Sequence, residues 1–156
     1  MDTNSPISSP WPAFQPLEQR AMPARSESVA QMMAWLEQVG EERSWPPKSV
    51  FALTLCADEA LTNIVSHAKP ADDAALQIKL QLGMLDGGIA LCLADNGREF
   101  DPTQQASAEL AESLDEAEVG GHGLRLMRHY LQRFEYRRSD GWNCLLMVVA
   151  SQDKAS

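Results

Sequence analysis

Three short stretches bring together residue types that could do chemistry. The first is DEALTNIVSHA, Asp58 to Ala68, in which Glu59, Asn63 and His67 recur at a spacing of four. Residues four apart in a helix stack on one face. A carboxylate, an amide and an imidazole would then form a polar stripe beside apolar Leu55, Leu61, Ile64 and Val65. An ionised Glu one turn from an Asn offers two hard oxygens, which suits a magnesium ion shared with phosphates. The carboxylate could also take a proton from an attacking hydroxyl or water. Taken alone, such a pair is ordinary on a solvated helix face. His67 alone reads as a hydrogen-bonded residue at a helix end.

The second stretch is Asp95-Asn96-Gly97-Arg98-Glu99-Phe100-Asp101-Pro102, directly after an apolar run. A buried Asp at the end of a strand could accept a hydrogen bond from an exocyclic amine such as that of adenine. Gly97 would let the backbone approach a flat base closely. The same residues are also good turn formers. The third stretch is Gly120-Gly121-His122-Gly123-Leu124, with Arg125 and Arg128 close behind. Glycines that open a helix can aim backbone N–H groups at an anion, aided by the helix dipole. A hinge before a core helix is the plainer alternative. No Lys-Ser or Lys-Thr follows, so this is not a Walker loop.

These stretches need elements to position them. Leu17 to Ala24 reads as a short first strand. Ser26 can cap a helix whose apolar residues are Val29, Met32, Met33, Leu36 and Val39, with Gly40 helping to end it. Trp45-Pro46-Pro47 opens a second helix. Its inner face is Val50, Leu53, Ala57, Leu61, Ile64 or Val65, and Ala68, up to a stop at Pro70. Leu76 to Gly83 alternates, with Leu76, Ile78, Leu80 and Leu82 inward and Gln77, Lys79 and Gln81 outward. Asp86-Gly87-Gly88 is a turn, and Ile89 to Ala94 is apolar throughout, as a central strand requires. Thr103 to Val119 is weakly amphipathic. Leu124, Met127, Tyr130 and Leu131 give another helical period. Phe134 to Arg138 and Trp142 to Ala150 flank a hairpin turn at Ser139-Asp140-Gly141. Helices segregated from a mostly antiparallel sheet make an α+β layered domain.

Composition narrows the function. A chain of 156 residues fits one domain with an ordinary core. No apolar run approaches the roughly 18–20 residues of a membrane helix. The first residues, MDTNSPISSPWPAFQP, lack the basic and apolar regions of a secretory signal, and their Pro and Ser content suggests a flexible tail up to residue 16. Twenty-two acids against 13 bases give a net charge of −9, which argues against a nucleic-acid backbone as partner and favours a protein with a basic patch. Cys56, Cys92 and Cys144 form no CxxC pair, so zinc is not expected, and an odd count speaks against a disulfide framework. Reduced, buried thiols in a cytoplasmic protein are the expectation.

In combination the stretches are far more specific: a helix with Glu and Asn, a strand ending in Asp-x-Gly, then Gly-x-Gly opening a helix. This order resembles the GHKL ATP-binding superfamily, which includes histidine kinases, DNA gyrase and heat-shock chaperones. Within it, the sequence looks like the bacterial anti-sigma factor and serine-protein kinase family, the RsbW-like switch kinases. DEALTNIVSHA matches that family's N box, LADNGREFDP its first glycine box, and GGHGLRLMRHYLQRFEY with GWNCLLM its second glycine box and closing hairpin. The resemblance covers about residues 17–150, leaving 151–156 as a short tail.

The resemblance implies a two-layer α/β sandwich, with a mixed, mostly antiparallel sheet and helices on one face. It implies a kinase that binds ATP with magnesium. It implies a STAS-type anti-sigma factor antagonist as substrate and a sigma factor or other regulator as second partner. Homodimers are frequent in the family. Asn63 resembles the Asn that holds magnesium, and Glu59 the acid that serves as general base or orients the attacking group. Asp95 resembles the acid that binds the adenine amine, with Gly97 beside the base. Gly121, His122, Gly123 and Leu124 fall where the backbone wraps the phosphates, and Thr103 to Val119 falls on the ATP lid. Two features depart from the pattern. Glu99 stands where many members have a second glycine. The lid carries Glu109, Glu112, Asp115, Glu116 and Glu118, where a cover over a triphosphate would carry bases, so it is expected to swing outward or face a partner.

Overall fold

The structure, a computed structural model, describes residues 9–67, 75–103 and 127–151. Strict alternation builds its sheet. β1 (Gln15–Pro23), β2 (Gln77–Leu85), β3 (Gly88–Asp95), β4 (Arg133–Ser139) and β5 (Trp142–Ala150) pair in the order β1-β2-β3-β5-β4. Every described pairing is antiparallel. β3 is the middle strand, and all eight of its residues are buried, as its apolar run requires. The hairpins β2–β3 and β4–β5 turn at Asp86-Gly87 and Asp140-Gly141, where φ is 52° and 77°, then 50° and 83°. Asp and Gly tolerate those positive angles, which match the twist of the flanking strands.

Two helices cover one face. α1 (Ser26–Glu42) and α2 (Pro47–His67) bury Met32, Leu36, Leu53, Ala57 and Leu61 against Ile78, Leu80, Leu82, Ile89, Leu91, Leu93, Leu145, Met147 and Val149. Arg25, rather than Ser26, takes the cap position of α1, because the Ser28 hydroxyl receives the Arg25 N–H and donates to the Pro23 carbonyl. Gly40 does not end α1, which runs on to Glu42. It is buried where the helices cross, and a Cβ there would meet Val50 Cγ2 at 2.6 Å. Its smallness serves close helix packing rather than termination.

The other face is where residues 9–16 lie, part of the stretch up to residue 16 for which a flexible tail is expected; residues 1–8 are outside the described residues. Alternation leaves Ala90, Cys92, Ala94, Cys144, Leu146 and Val148 on that face, and apolar surface of this extent needs a cover. Trp11 and Phe14 supply it, 2% and 6% exposed, and the Trp11 indole N–H donates to Glu135 at 3.1 Å. β1 accordingly starts at Gln15, ahead of Leu17. Gln81, expected outward, is buried on the same side. Cys56, Cys92 and Cys144 are free and buried. No helix among the described residues is long and apolar enough to cross a membrane.

One contact gives a test of this packing. A Cβ on Gly83 would come within 2.2 Å of the Gln15 carbonyl oxygen and 2.8 Å of the Phe14 ring. Backbone cannot yield as a side-chain tip can. Gly83→Ala is expected to lower unfolding free energy by about 1–3 kcal/mol, read by urea denaturation. An unchanged midpoint would show that β1 is not held at this point.

Candidate functional site

α2 presents two polar rows. Asp58, Thr62 and Ser66 form the outer one, with the Thr62 hydroxyl on Asp58 at 3.2 Å and Thr62 and Ser66 exposed. Glu59 and Asn63 stand one position inward and are half-buried. The Cys56 thiol is pushed up to about 12, mainly by burial and then by the negative charge of Glu59. That carboxylate is therefore felt by the buried side of the helix. His67 ends α2; its side chain lies outside the described residues, as do Gly121, His122, Gly123 and Leu124.

α2 is anchored at its first turn. The Ser49 hydroxyl donates to the Ala150 carbonyl, which fixes the start of the helix at the far end of β5. A helix rises 1.5 Å per residue, so Asn63 is about 21 Å further on. A strand rises 3.3–3.4 Å, so Asn143 is about 23 Å back along β5. α2 packs on β5 and β3, so a helix running straight back along β5 would bring its Asn63 turn to the sheet end where Asp95 and Asn143 pair.

Asp95 is 5% exposed and, like Leu91 and Leu93, points to the helix-covered face. Its Oδ1 accepts the Gly97 N–H and the Asn143 amide N–H, both at 2.9 Å. Its Oδ2 takes no hydrogen bond from the described residues. Burial holds the carboxyl above the usual carboxylate range, while the Asn143 amide, the Gly97 N–H and the Arg138 charge pull the other way. A buried carboxylate with one saturated and one open oxygen can accept a hydrogen bond from an external donor.

The loop after β3 is held on both sides. Asn96 accepts the Gln77 N–H at 2.6 Å and donates to the Ala75 carbonyl at 3.1 Å, which ties the loop to β2. Gly97 is buried, whereas Glu99 is exposed. Asn143 binds the rest. Its Oδ1 accepts Tyr136 Oη–H at 2.6 Å, an Arg138 guanidinium N–H at 3.0 Å and the Phe100 N–H at 3.2 Å. Its Nδ2 donates to the Arg98 carbonyl at 2.8 Å as well as to Asp95. Arg138 also donates to the Gly97 carbonyl at 2.9 Å. The sequence reading overlooked Asn143, Tyr136 and Arg138; the signal was an amide inside an otherwise apolar strand. Further along, Arg128 donates to the Thr103 carbonyl at 3.1 Å, so the chain closes on itself on either side of 104–126. The acidic segment beyond Thr103 lies outside the described residues.

Among the described residues no three His, Cys, Asp or Glu side chains converge on a metal position. Magnesium does not require that, since it keeps waters and shares phosphate oxygens, with one or two protein ligands. The Glu59–Asn63 donor pair fits such an ion, and the open Asp95 oxygen beside buried Gly97 fits a flat base with an exocyclic amine.

Comparison with known proteins gives the family. Residues 22–149 match the family model of the histidine kinase-like ATPase domain. The serine/threonine-protein kinase BtrW of Bordetella bronchiseptica is 50% identical over 118 residues, covering 75% of this chain and 82% of that protein. The serine-protein kinase RsbW of Bacillus licheniformis is 26% identical over 124 residues, 76% of each chain. The histidine kinase domain of a blue-light activated histidine kinase from Erythrobacter litoralis superposes with a TM-score of 0.50 at 15% identity, covering 92% of this chain and 70% of that one, a likeness of fold. The chain belongs to the family of histidine kinase-like ATPase domains, on the branch that holds the RsbW-like serine-protein kinases.

Proposed function

We propose that this protein is a cytoplasmic, magnesium- and ATP-dependent serine kinase that phosphorylates a STAS-type anti-sigma factor antagonist in a partner switch. The observation that supports the reading is Asp95: a buried carboxylate at the end of the central strand, with one oxygen saturated and the other left open by the described residues, beside a buried glycine. Asp95 Oδ2 would accept the adenine amine, and Gly97 would let the ring lie close. Asn63 would hold magnesium. Gly121, His122, Gly123 and Leu124 would cradle the phosphates. Bound magnesium would draw charge from the transferring phosphoryl group, the main catalytic contribution in this chemistry. Glu59 would take the serine proton. A new phosphate adds about −1.5 to −2 charge at the docking surface. Against a kinase of net charge −9, that favours release of the product and frees the kinase for a sigma factor or other regulator.

Calorimetric titration of ATP with magnesium tests the site, and a phosphoryl-transfer assay with candidate STAS domains tests the activity. Binding in the micromolar range is expected. Asn63→Ala is expected to lower the magnesium-dependent part of the affinity by about 10-fold or more, the scale of a lost bond to a charged group. An indifferent variant removes Asn63 from the site. ATP binding without transfer to any STAS domain would favour a regulator that uses ATP as a structural ligand and sequesters its partner.

A further inference from the structure

Asn143 is the most connected polar side chain of the site, and its orientation is determined by its partners. The Phe100 N–H and the Arg138 guanidinium can only donate, so the atom they reach is the amide oxygen. The Arg98 carbonyl can only accept, so the atom facing it is the amide nitrogen. A flipped amide would break bonds on both sides at once. The nitrogen therefore also faces Asp95 Oδ1, at 2.9 Å, beside the Gly97 N–H. Two donors on Oδ1 leave no room for a proton there. They favour the ionised carboxylate, whose other oxygen is then an acceptor.

We propose that Asn143 selects the base: by fixing its amide N–H on Asp95 Oδ1, it keeps Oδ2 a hydrogen-bond acceptor, so that a 6-amino purine is taken and a 6-oxo purine refused. This inference rests on the nucleotide reading above. Asn143 is a positioning residue, since it acts through Asp95. The chemistry needs it because burial works toward the neutral acid, and a neutral acid at Oδ2 could donate to a 6-oxo group as readily as it accepts from an amine. The charges around Asp95 come from few places. Arg138 on β4 acts on it directly. Tyr136 on β4 is a neutral phenol pushed up chiefly by burial, and the loop acids Glu99 and Asp101 act on Tyr136. Cys144 on β5 is pushed up to about 11, mainly by burial and then by Asp95 itself. The α2 acid Glu59 acts on Cys56. Hydrogen bonds from Asn143 and Gly97, with Arg138, are thus what hold the acceptor state.

The test compares ATP with inosine triphosphate, whose base carries a 6-oxo group and a proton on N1, each with magnesium, by calorimetry. The intact protein is expected to favour ATP by at least about 10-fold, with a ratio that does not change between about pH 6 and 9. Asn143→Ala removes the N–H donor from Asp95 Oδ1, so that burial is opposed only by the Gly97 N–H and the Arg138 charge. The carboxyl then keeps its proton to higher pH. The ratio is expected to fall at least threefold, and ATP affinity to rise with pH across that window. An unchanged ratio with no pH dependence overturns the inference. Equal binding of both nucleotides by the intact protein overturns it while leaving the nucleotide site standing. Binding of neither overturns both. Should Asn143→Ala fail to fold, Tyr136→Phe decides: it removes one donor that holds the amide. A fall of about 3- to 10-fold in ATP affinity, with a smaller ratio, is expected. No change in either quantity overturns the inference.

Discussion

Replacing Glu59 with Gln is expected to lower phosphoryl transfer by about 10²–10⁴-fold, the range for loss of a general base, while ATP binding stays within a few-fold. The substitution keeps the shape and removes only the proton acceptor. Glu59 is suited to the role by placement. It lies one turn before Asn63 on the row of α2 between the solvated Asp58–Thr62 face and the buried Leu61 face. Half-buried, it can reach a substrate hydroxyl without being dispersed in bulk water, and its charge is already felt by the buried Cys56 thiol. The measurement is transfer of labelled phosphate from ATP to a STAS domain, with calorimetry for ATP and a pull-down for the STAS domain. Loss of transfer with both bindings retained assigns the base. A variant that transfers at the normal rate removes Glu59 from the chemistry. Simultaneous loss of ATP affinity would instead make Glu59 part of the magnesium site.

The parts of the fold that were legible in the sequence are those specified locally. β3 announces itself as an apolar run, and both Asp-Gly turns carry the positive φ that those residues allow. The α2 face was readable from Leu53, Ala57 and Leu61 because one helix period decides burial. What escaped is specified at a distance. Gly40 looks like a terminator until Val50 of the next helix is seen against it. Trp11 and Phe14 sit in a Pro- and Ser-rich stretch, and only the apolar back of β3 and β5 shows why they are buried. The site divides in the same way. Glu59, Asn63, Asp95 and Gly97 stand out by type and spacing. Asn143 is recognised only through partners as far as 48 positions away. A buried amide must be satisfied, so its presence in WNCLLM was a sign, but nothing local could say by what.

Asp95→Asn is expected to weaken ATP binding about 10- to 150-fold, the scale of a hydrogen bond involving a charge, without unfolding the protein. The geometry explains why the two effects separate. An Asn side chain can keep its oxygen where Oδ1 is, accepting the Gly97 and Asn143 N–H groups. Its NH₂ then occupies the position of Oδ2 and meets the adenine amine donor to donor. Stability moves in the opposite sense. Asp95 has a folded pKa above its unfolded one, chiefly because of burial. The native state therefore binds its proton more tightly, and the ionised group costs stability that appears as pH rises from the ordinary carboxylate value through the raised one. The neutral amide carries no such cost. In the absence of nucleotide the variant is expected to melt no lower than the parent at neutral pH, and any advantage should shrink as pH falls below the unfolded carboxylate value. Thermal melts across pH, together with ATP titration, separate the outcomes. Reduced ATP affinity in a variant that melts as high as the parent identifies Asp95 as a group kept for ligand recognition against its own stability. Unchanged ATP affinity would take the base away from Asp95. A large loss of stability would make the carboxylate a structural partner of Asn143 and Arg138 instead.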